Sequence, residues 1–294
     1  MTTSPTSTLD PNNLFESDEP MTTATASAPS SSATTTRTRQ RVALRGVIQA
    51  EWVKFWSVRS TSITLLAAGF ATVAFGMIFS AVAESGEATG PAALLSDPVD
   101  IALGGIGLTE MIVGVLGVMF VAGEYSTGLI RTAFAAVGKR SRVIRAKAAV
   151  LAASIFGVAL VSVTAAVVAG QAVYAGSEAT TPVTEVLDVV FATSVYLVGI
   201  GLIGAALGFI LRSTAAGIGT LVGGVFIGPN LLNLLPDSIT DAFMKYLPSE
   251  AGSAMMTEVS NPDLLSRGSA YAVFTAWVVG LLALAGWLVQ RRDA

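Results

Sequence analysis

From residue 62 onward the chain alternates long apolar runs with short polar interruptions. Six runs recur, approximately Ser62 to Ala83, Ile101 to Ala122, Ala148 to Tyr174, Val186 to Leu211, Thr214 to Leu235 and Ser269 to Gln290. Each is about 20 residues long, which at a rise of about 1.5 Å per residue crosses a hydrocarbon core of roughly 30 Å. Lipid offers no partner to backbone N–H and C=O groups, so a spanning segment must be a helix or part of a closed barrel, and the alternation of barrel strands is absent. The pattern predicts an all-α polytopic membrane protein, with residues 62–294 forming a domain of six transmembrane helices.

Two polar interruptions carry periodicity of their own. In residues 41–61, Leu44, Ile48, Trp52, Phe55 and Trp56 share one helical arc while Arg45, Gln49, Lys54 and Arg59 lie largely off it. That predicts an amphipathic helix in the membrane interface, anchored by Trp52, Phe55 and Trp56, because indole rings and basic side chains both favour that level. The second interruption, residues 123–147, is strongly basic. Within it Ile130, Ala133, Phe134 and Val137 repeat at i, i+3, i+4 and i+7, Ser126 is suited to cap the helix and Gly138 to end it. A short helix of that kind must set its apolar stripe against lipid headgroups or another protein. Glu124 stands before it, where the helix dipole favours a carboxylate and an Arg could pair with it.

Composition narrows the chemistry. Apolar residues make up 52% and charged residues 13%, with mean hydropathy +0.68, against about 25% charged in soluble domains. The chain contains no Cys and no His, so thiolate nucleophiles, imidazole metal ligands and Ser-His-Asp triads are excluded, and no catalytic, cofactor-binding or metal-ligating residue is assigned. A net charge of -3 gives no general attraction to nucleic acid. Residues 1–40 hold eighteen Ser or Thr and no apolar period, which predicts a disordered tail.

Lys and Arg set the orientation. With the N-terminus inside, fifteen of them fall on cytosolic pieces, and only Lys245 and Arg267 fall on outer loops. Under the positive-inside rule both termini and the 123–147 loop are cytosolic, which in a bacterium means the plasma membrane.

Inside the spans, Glu110 is read about a third of the way into the second run, where a carboxylate marks a pathway, a gate or a buried pairing site. Gln171 and Asn230 are candidates for cross-helix hydrogen bonds. The pairs Gly204 and Gly208, Gly219 and Gly223, and Gly224 and Gly228 are small-xxx-small patterns, read first as packing within one subunit. Pro229 can kink the fifth span near its outer end. The loop 236–268 is long enough to have local structure, and an amphipathic flap on the membrane is one acceptable form.

At these residues the chain resembles a known family. Glu124, Gly128, Leu129, the basic pair Lys139 and Arg140, and Lys147 are similar to the second-to-third-span loop of ATP-binding cassette (ABC) permeases of the type-2 exporter class. Glu51-Trp52-Val53-Lys54 and Ser57-Val58-Arg59-Ser60-Thr61 look like actinobacterial members, and the likeness extends over most of the chain after residue 41. Many relatives carry Pro after the loop helix, where this chain has Val137-Gly138. The resemblance implies that the loop forms a coupling helix docking into an ATPase subunit in trans, with Glu124, Gly128, Ile130, Arg131, Phe134 and Val137 as coupling residues. It also implies short re-entrant helices in the outer loop, a second permease copy or paralogue, and export. A phosphate-binding loop is missing, since Gly138-Lys139 has Ala133 in place of the earlier Gly and Arg140 in place of Ser or Thr. ATP and magnesium would therefore sit on the partner, and this chain is read as a transport subunit, not an enzyme. An amphiphilic or hydrophobic cargo suits the apolar spans. A secondary transporter is the alternative, supported only by Glu110 and scattered Gly, and a membrane-embedded enzyme is weaker still.

Overall fold

Six helices long and apolar enough to cross a membrane dominate the chain, and no strand occurs among the described residues. The computed structural model describes residues 43–86, 97–173, 182–232, 234, 236, 240, 243–256 and 265–292. The expected tail at 1–40 and part of the 236–268 loop lie outside them.

In chain order, α1 (Leu44–Ser57) precedes the first span α2 (Arg59–Ser85), and the two are separated at Val58, whose backbone is extended. A short helix α3 (Pro98–Ala102) leads to the second span α4 (Ile106–Ser126). Asp97 starts α3 by accepting the Val99 N–H at 2.7 Å, with Pro98 in the first turn. The second span therefore begins at Ile106, later than the predicted Ile101. Gly104 and Gly105 permit the break, because a Cβ on either would strike Phe79 or Phe75 of α2 within 2.9 Å.

Helix α5 (Leu129–Val137) follows, then the third span α6 (Arg140–Val173), which starts eight residues before the predicted Ala148. Nothing between Arg140 and Lys147 breaks a helix, so the basic run is its first two turns. The fourth span α7 (Val183–Leu211) is the most buried and packs against α4, α6 and the last span. The fifth is interrupted, with α8 (Thr214–Leu221), a π-helical turn (Val222–Ile227) and α9 (Gly228–Leu232). The irregularity thus begins before Pro229. Its ring lacks an N–H and would clash with the carbonyl of Val225, and the widened turn, in which the Gly228 N–H bonds to Gly223, relieves this. After a 3-10 turn (Met244–Tyr246), α10 (Pro248–Met256) buries Ala251, Gly252 and Met255 against α7 and the sixth span α11 (Arg267–Arg291). The 236–268 loop therefore carries a packed helix and not a free flap.

Backbone proximity between α4 and α7 organises the bundle. A Cβ on Gly117 would stand 2.0 Å from the Gly201 carbonyl oxygen, and one on Gly204 would stand 2.1 Å from that of Gly114. Gly204 and Gly208 are thus packing glycines within the chain, as the motif predicts. Gly219, Gly223 and Gly224 of the fifth span are not, since each looks into open space.

Gly117→Ala must separate α4 from α7 and should lower stability by about 1–3 kcal/mol, the usual cost of overpacking. Gly219→Ala should leave it unchanged. Thermal unfolding in detergent checks both, and equal midpoints for the two variants would refute this account of the α4–α7 contact.

Candidate functional site

One end of the bundle carries the strongest chemistry. There α1, the last turn of α4 and the second turn of α6 bring Glu51, Lys54, Glu124 and Lys147 together. Lys147 Nζ donates to Glu51 Oε2 at 2.8 Å and to Glu124 Oε1 at 2.5 Å, and Lys54 also donates to Glu124 Oε1. Lys54 lies 4.0 Å from Glu51 Oε1. Lys147, Glu51 and Glu124 are all buried, at 1%, 6% and 5% exposure, while the Lys54 side chain reaches the surface.

Two carboxylates and two ammonium groups give the quartet zero formal charge, which is what allows it to leave water. A buried charge is tolerated only when paired and hydrogen-bonded. Lys147 also stands 4.4 Å from the centre of the Phe120 ring, a cation–π contact strengthened by exclusion of water. Phe120 packs edge-on against Phe55 at 5.3 Å, so the apolar wall of the site again joins α4 to α1. Glu124 does pair, as the sequence suggests, but with two lysines and not with an arginine.

Beyond Glu124 the chain turns through Gly128 (φ 74°) into α5 and leaves it through Gly138 (φ 70°). Both are left-handed conformations that L side chains rarely adopt. Ser126 does not cap α5; its hydroxyl donates back to the Gly123 carbonyl at 2.8 Å and closes α4 instead. The apolar stripe faces inward. Ile130 and Phe134 are buried in the chain's own core, with Ala133 and Val137 half-buried beside them, while Leu129, Arg131, Thr132, Ala135 and Ala136 are exposed. Of the expected coupling residues, Arg131 alone is fully outward. The stripe needed no foreign partner because α4 and α6 supply one.

Arginines fasten the same end. Arg140 Nη1 donates to the carbonyls of Val289 (2.8 Å) and Arg292 (2.7 Å), and Arg292 Nη1 donates to Ile210 at 3.0 Å. These are C-terminal carbonyls of α11 and α7, which have no partner within their own helices and carry the negative end of the dipole.

On α1 the buried face is Val47, Glu51 and Phe55, so the predicted arc is rotated. Phe55 is a core residue at 0% exposure and not an interfacial anchor; Trp52 and Trp56 point outward. Glu51 was not recognised as a member of the site, nor were Lys54 and Lys147 as ion-pair partners, although the register of Glu51 with Val47 and Phe55 at i, i+4 and i+8 is a signal that an acid lies on the inner face.

The other polar expectations resolve differently. Glu110 sits in the second turn of α4, shallower than predicted, and accepts a hydrogen bond from the buried Tyr196 hydroxyl of α7. A Cβ on Gly252 of α10 would overlap that tyrosine ring at 2.0 Å, so α10 lies directly against it. Among the described residues, the Asn230 amide nitrogen donates to Phe226, four residues back in the same interrupted span, at 2.8 Å. Gln171 is half-buried near the end of α6 opposite the quartet. Between α2, α4, α6 and α7, Gly69, Thr109, Ile155 and Leu197 line a cavity of about 10 Å³, room for one water at most.

Removing Lys147 takes from buried Glu51 its hydrogen-bonded partner and leaves both carboxylates to the half-exposed Lys54, 4.0 Å from Glu51. Lys147→Met should destabilise the protein by about 3–5 kcal/mol, the usual cost of orphaning a buried charge; an unchanged unfolding midpoint would show that the quartet adds nothing. On α10, partial burial raises the Glu250 carboxyl above its ordinary 4.5. A raised folded-state value means full stability below that ordinary value and loss as pH rises through the folded one. Glu250→Gln should therefore raise the melting temperature at neutral pH and add nothing in acid below 4.5. A gain independent of pH would overturn that sign.

In comparisons with known proteins, no family model matches this chain and no curated protein matches it.

Proposed function

We propose that the chain is the membrane-spanning permease subunit of an ABC exporter of the type-2 class. Its energy would come from ATP and magnesium on a separate ATPase subunit, and it would pair in the membrane with a second permease copy or a paralogue. The observation that carries this reading is α5, a nine-residue helix set between two left-handed glycines and wedged by Ile130 and Phe134 into the end of the bundle that the quartet clamps. In this reading both termini and α5 are cytosolic, which the fifteen-to-two distribution of Lys and Arg supports.

The docking face is the outward one, Leu129, Arg131, Thr132, Ala135 and Ala136, and not the stripe that periodicity singled out. A force on that face reaches α4 and α6 through Ile130 and Phe134, and reaches α1 through the quartet. Nucleotide drives transport only if it changes the relative free energies of cytosol-open and outside-open states, and an element packed on two spans at once is a means of coupling them. The open positions beside Gly219, Gly223 and Gly224 suit close approach of a second permease. The apolar spans fit an amphiphilic or hydrophobic cargo.

Arg131→Glu combined with Ala135→Trp should reduce co-purification of the ATPase at least tenfold and abolish its stimulation by the permease, with the unfolding midpoint unchanged because both side chains face outward. Intact recruitment and intact stimulation would sink the coupling reading.

A further inference from the structure

Folding changes the charge that one end of this protein presents. Among the described residues, that end carries two acids, Glu51 and Glu124, and both are buried against Lys147. The other described acids, Glu84, Asp97, Asp100, Glu110, Glu185, Asp188 and Glu250, lie toward the opposite end. Among the described residues, the charged groups that remain fully exposed at the quartet end are basic: Arg45, Arg59, Arg131, Lys139, Arg145, Arg291 and Arg292.

On α1 this positive charge meets exposed aromatic surface. Trp52 and Trp56, 43% and 38% exposed, stand with ring centres 6.1 Å apart. Arg45 lies seven residues before Trp52 and shares its outward stripe on α1, and Arg59, exposed at the start of α2, follows two residues after the helix ends at Ser57. Because α2 starts at Arg59, directly after the break at Val58, the stripe lies at the level where the chain enters the bilayer. Trp287 and Arg291 repeat the combination on α11 at the same end, with the guanidinium 4.4 Å from the ring centre. Indoles favour the headgroup level, and arginine forks match phosphate oxygens.

We propose that the surface formed by Arg45, Trp52 and Trp56 of α1 together with Arg59 at the start of α2 binds the headgroups of anionic phospholipids. Charge complementarity selects this occupant: a zwitterionic headgroup gains little from a face without acids, whereas each arginine at the surface favours an anionic one by about fivefold. The burial of Glu51 is part of the site, since an acid turned outward would weaken that preference. The proposal does not depend on the ATPase reading.

The test uses the full chain with Trp277→Phe and Trp287→Phe, which leaves Trp52 and Trp56 as its only indoles. It is reconstituted in phosphatidylcholine bilayers containing an equal fraction of either brominated phosphatidylcholine or brominated phosphatidylglycerol. Phosphatidylglycerol should quench indole fluorescence at least about twofold more, the excess should vanish in Arg45→Gln/Arg59→Gln, and it should shrink at about 1 M salt, where charge interactions are screened within about 3 Å. Equal quenching by the two lipids, quenching by neither because protein covers the face, or an excess that survives the arginine substitutions would each overturn the proposal. If loss of the Trp277 bond to the Tyr246 carbonyl impairs folding, the same comparison between the four-tryptophan chain and its Trp52→Phe/Trp56→Phe variant isolates the same signal.

Discussion

The buried ammonium of Lys147, held between Glu51 and Glu124, is the constraint on which one end of this bundle depends. Each of the three groups would be intolerable alone in that interior, and each is acceptable because the others are within hydrogen-bond reach. The requirement is mutual and joins elements far apart in sequence. Helix α1 cannot leave without taking Glu51 from Lys147 and Lys54 from Glu124, and α4 cannot end elsewhere without removing Glu124 from its lysines. The Phe55–Phe120 contact closes the apolar side of the same junction.

From this junction the rest of the end takes its geometry. Because Glu124 is held, the chain beyond it has one short connection in which to reverse, and Gly128 and Gly138 supply the two left-handed corners. Helix α5 is thereby laid across the ends of α4 and α6 with Ile130 and Phe134 inserted. Arg140 and Arg292 extend the clamp to α11 and α7 through helix-end carbonyls. The opposite end is organised by close packing. Gly252 accepts the ring of Tyr196, whose hydroxyl meets Glu110. Charge pairing at one end and glycine contacts along the bundle are thus separate devices, and they leave Gly219, Gly223 and Gly224 of the fifth span facing open space.

Some of this was legible in the residues and some was not. The six spans were readable because a bilayer imposes length and apolarity on each segment independently of its neighbours. The short helix after Glu124 was readable from its period and its closing glycine. Its outward face was not, because a stripe of Ile130, Phe134 and Val137 looks the same whether a partner protein or the chain's own α4 and α6 will cover it. Glu51 was overlooked for a related reason: one acid in an amphipathic segment reads as a solvated residue until its counter-ion, 96 positions away, is brought beside it. The π turn before Pro229 and the break at Gly104–Gly105 depend on contacts and relaxation that local pattern does not contain.

By itself, then, the sequence determined the solvent of this protein, the number and kind of its spans, the chemistry excluded by the absence of Cys and His, and the location of its basic interruption. Those properties follow from composition and period, which act residue by residue along the chain. Only the tertiary structure decided which charges are neutralised inside, which face of α5 is free, and that the tryptophans of α1 point outward while Phe55 points in. Burial and ion pairing are relations between distant segments, and they take a sign only when the helices are packed.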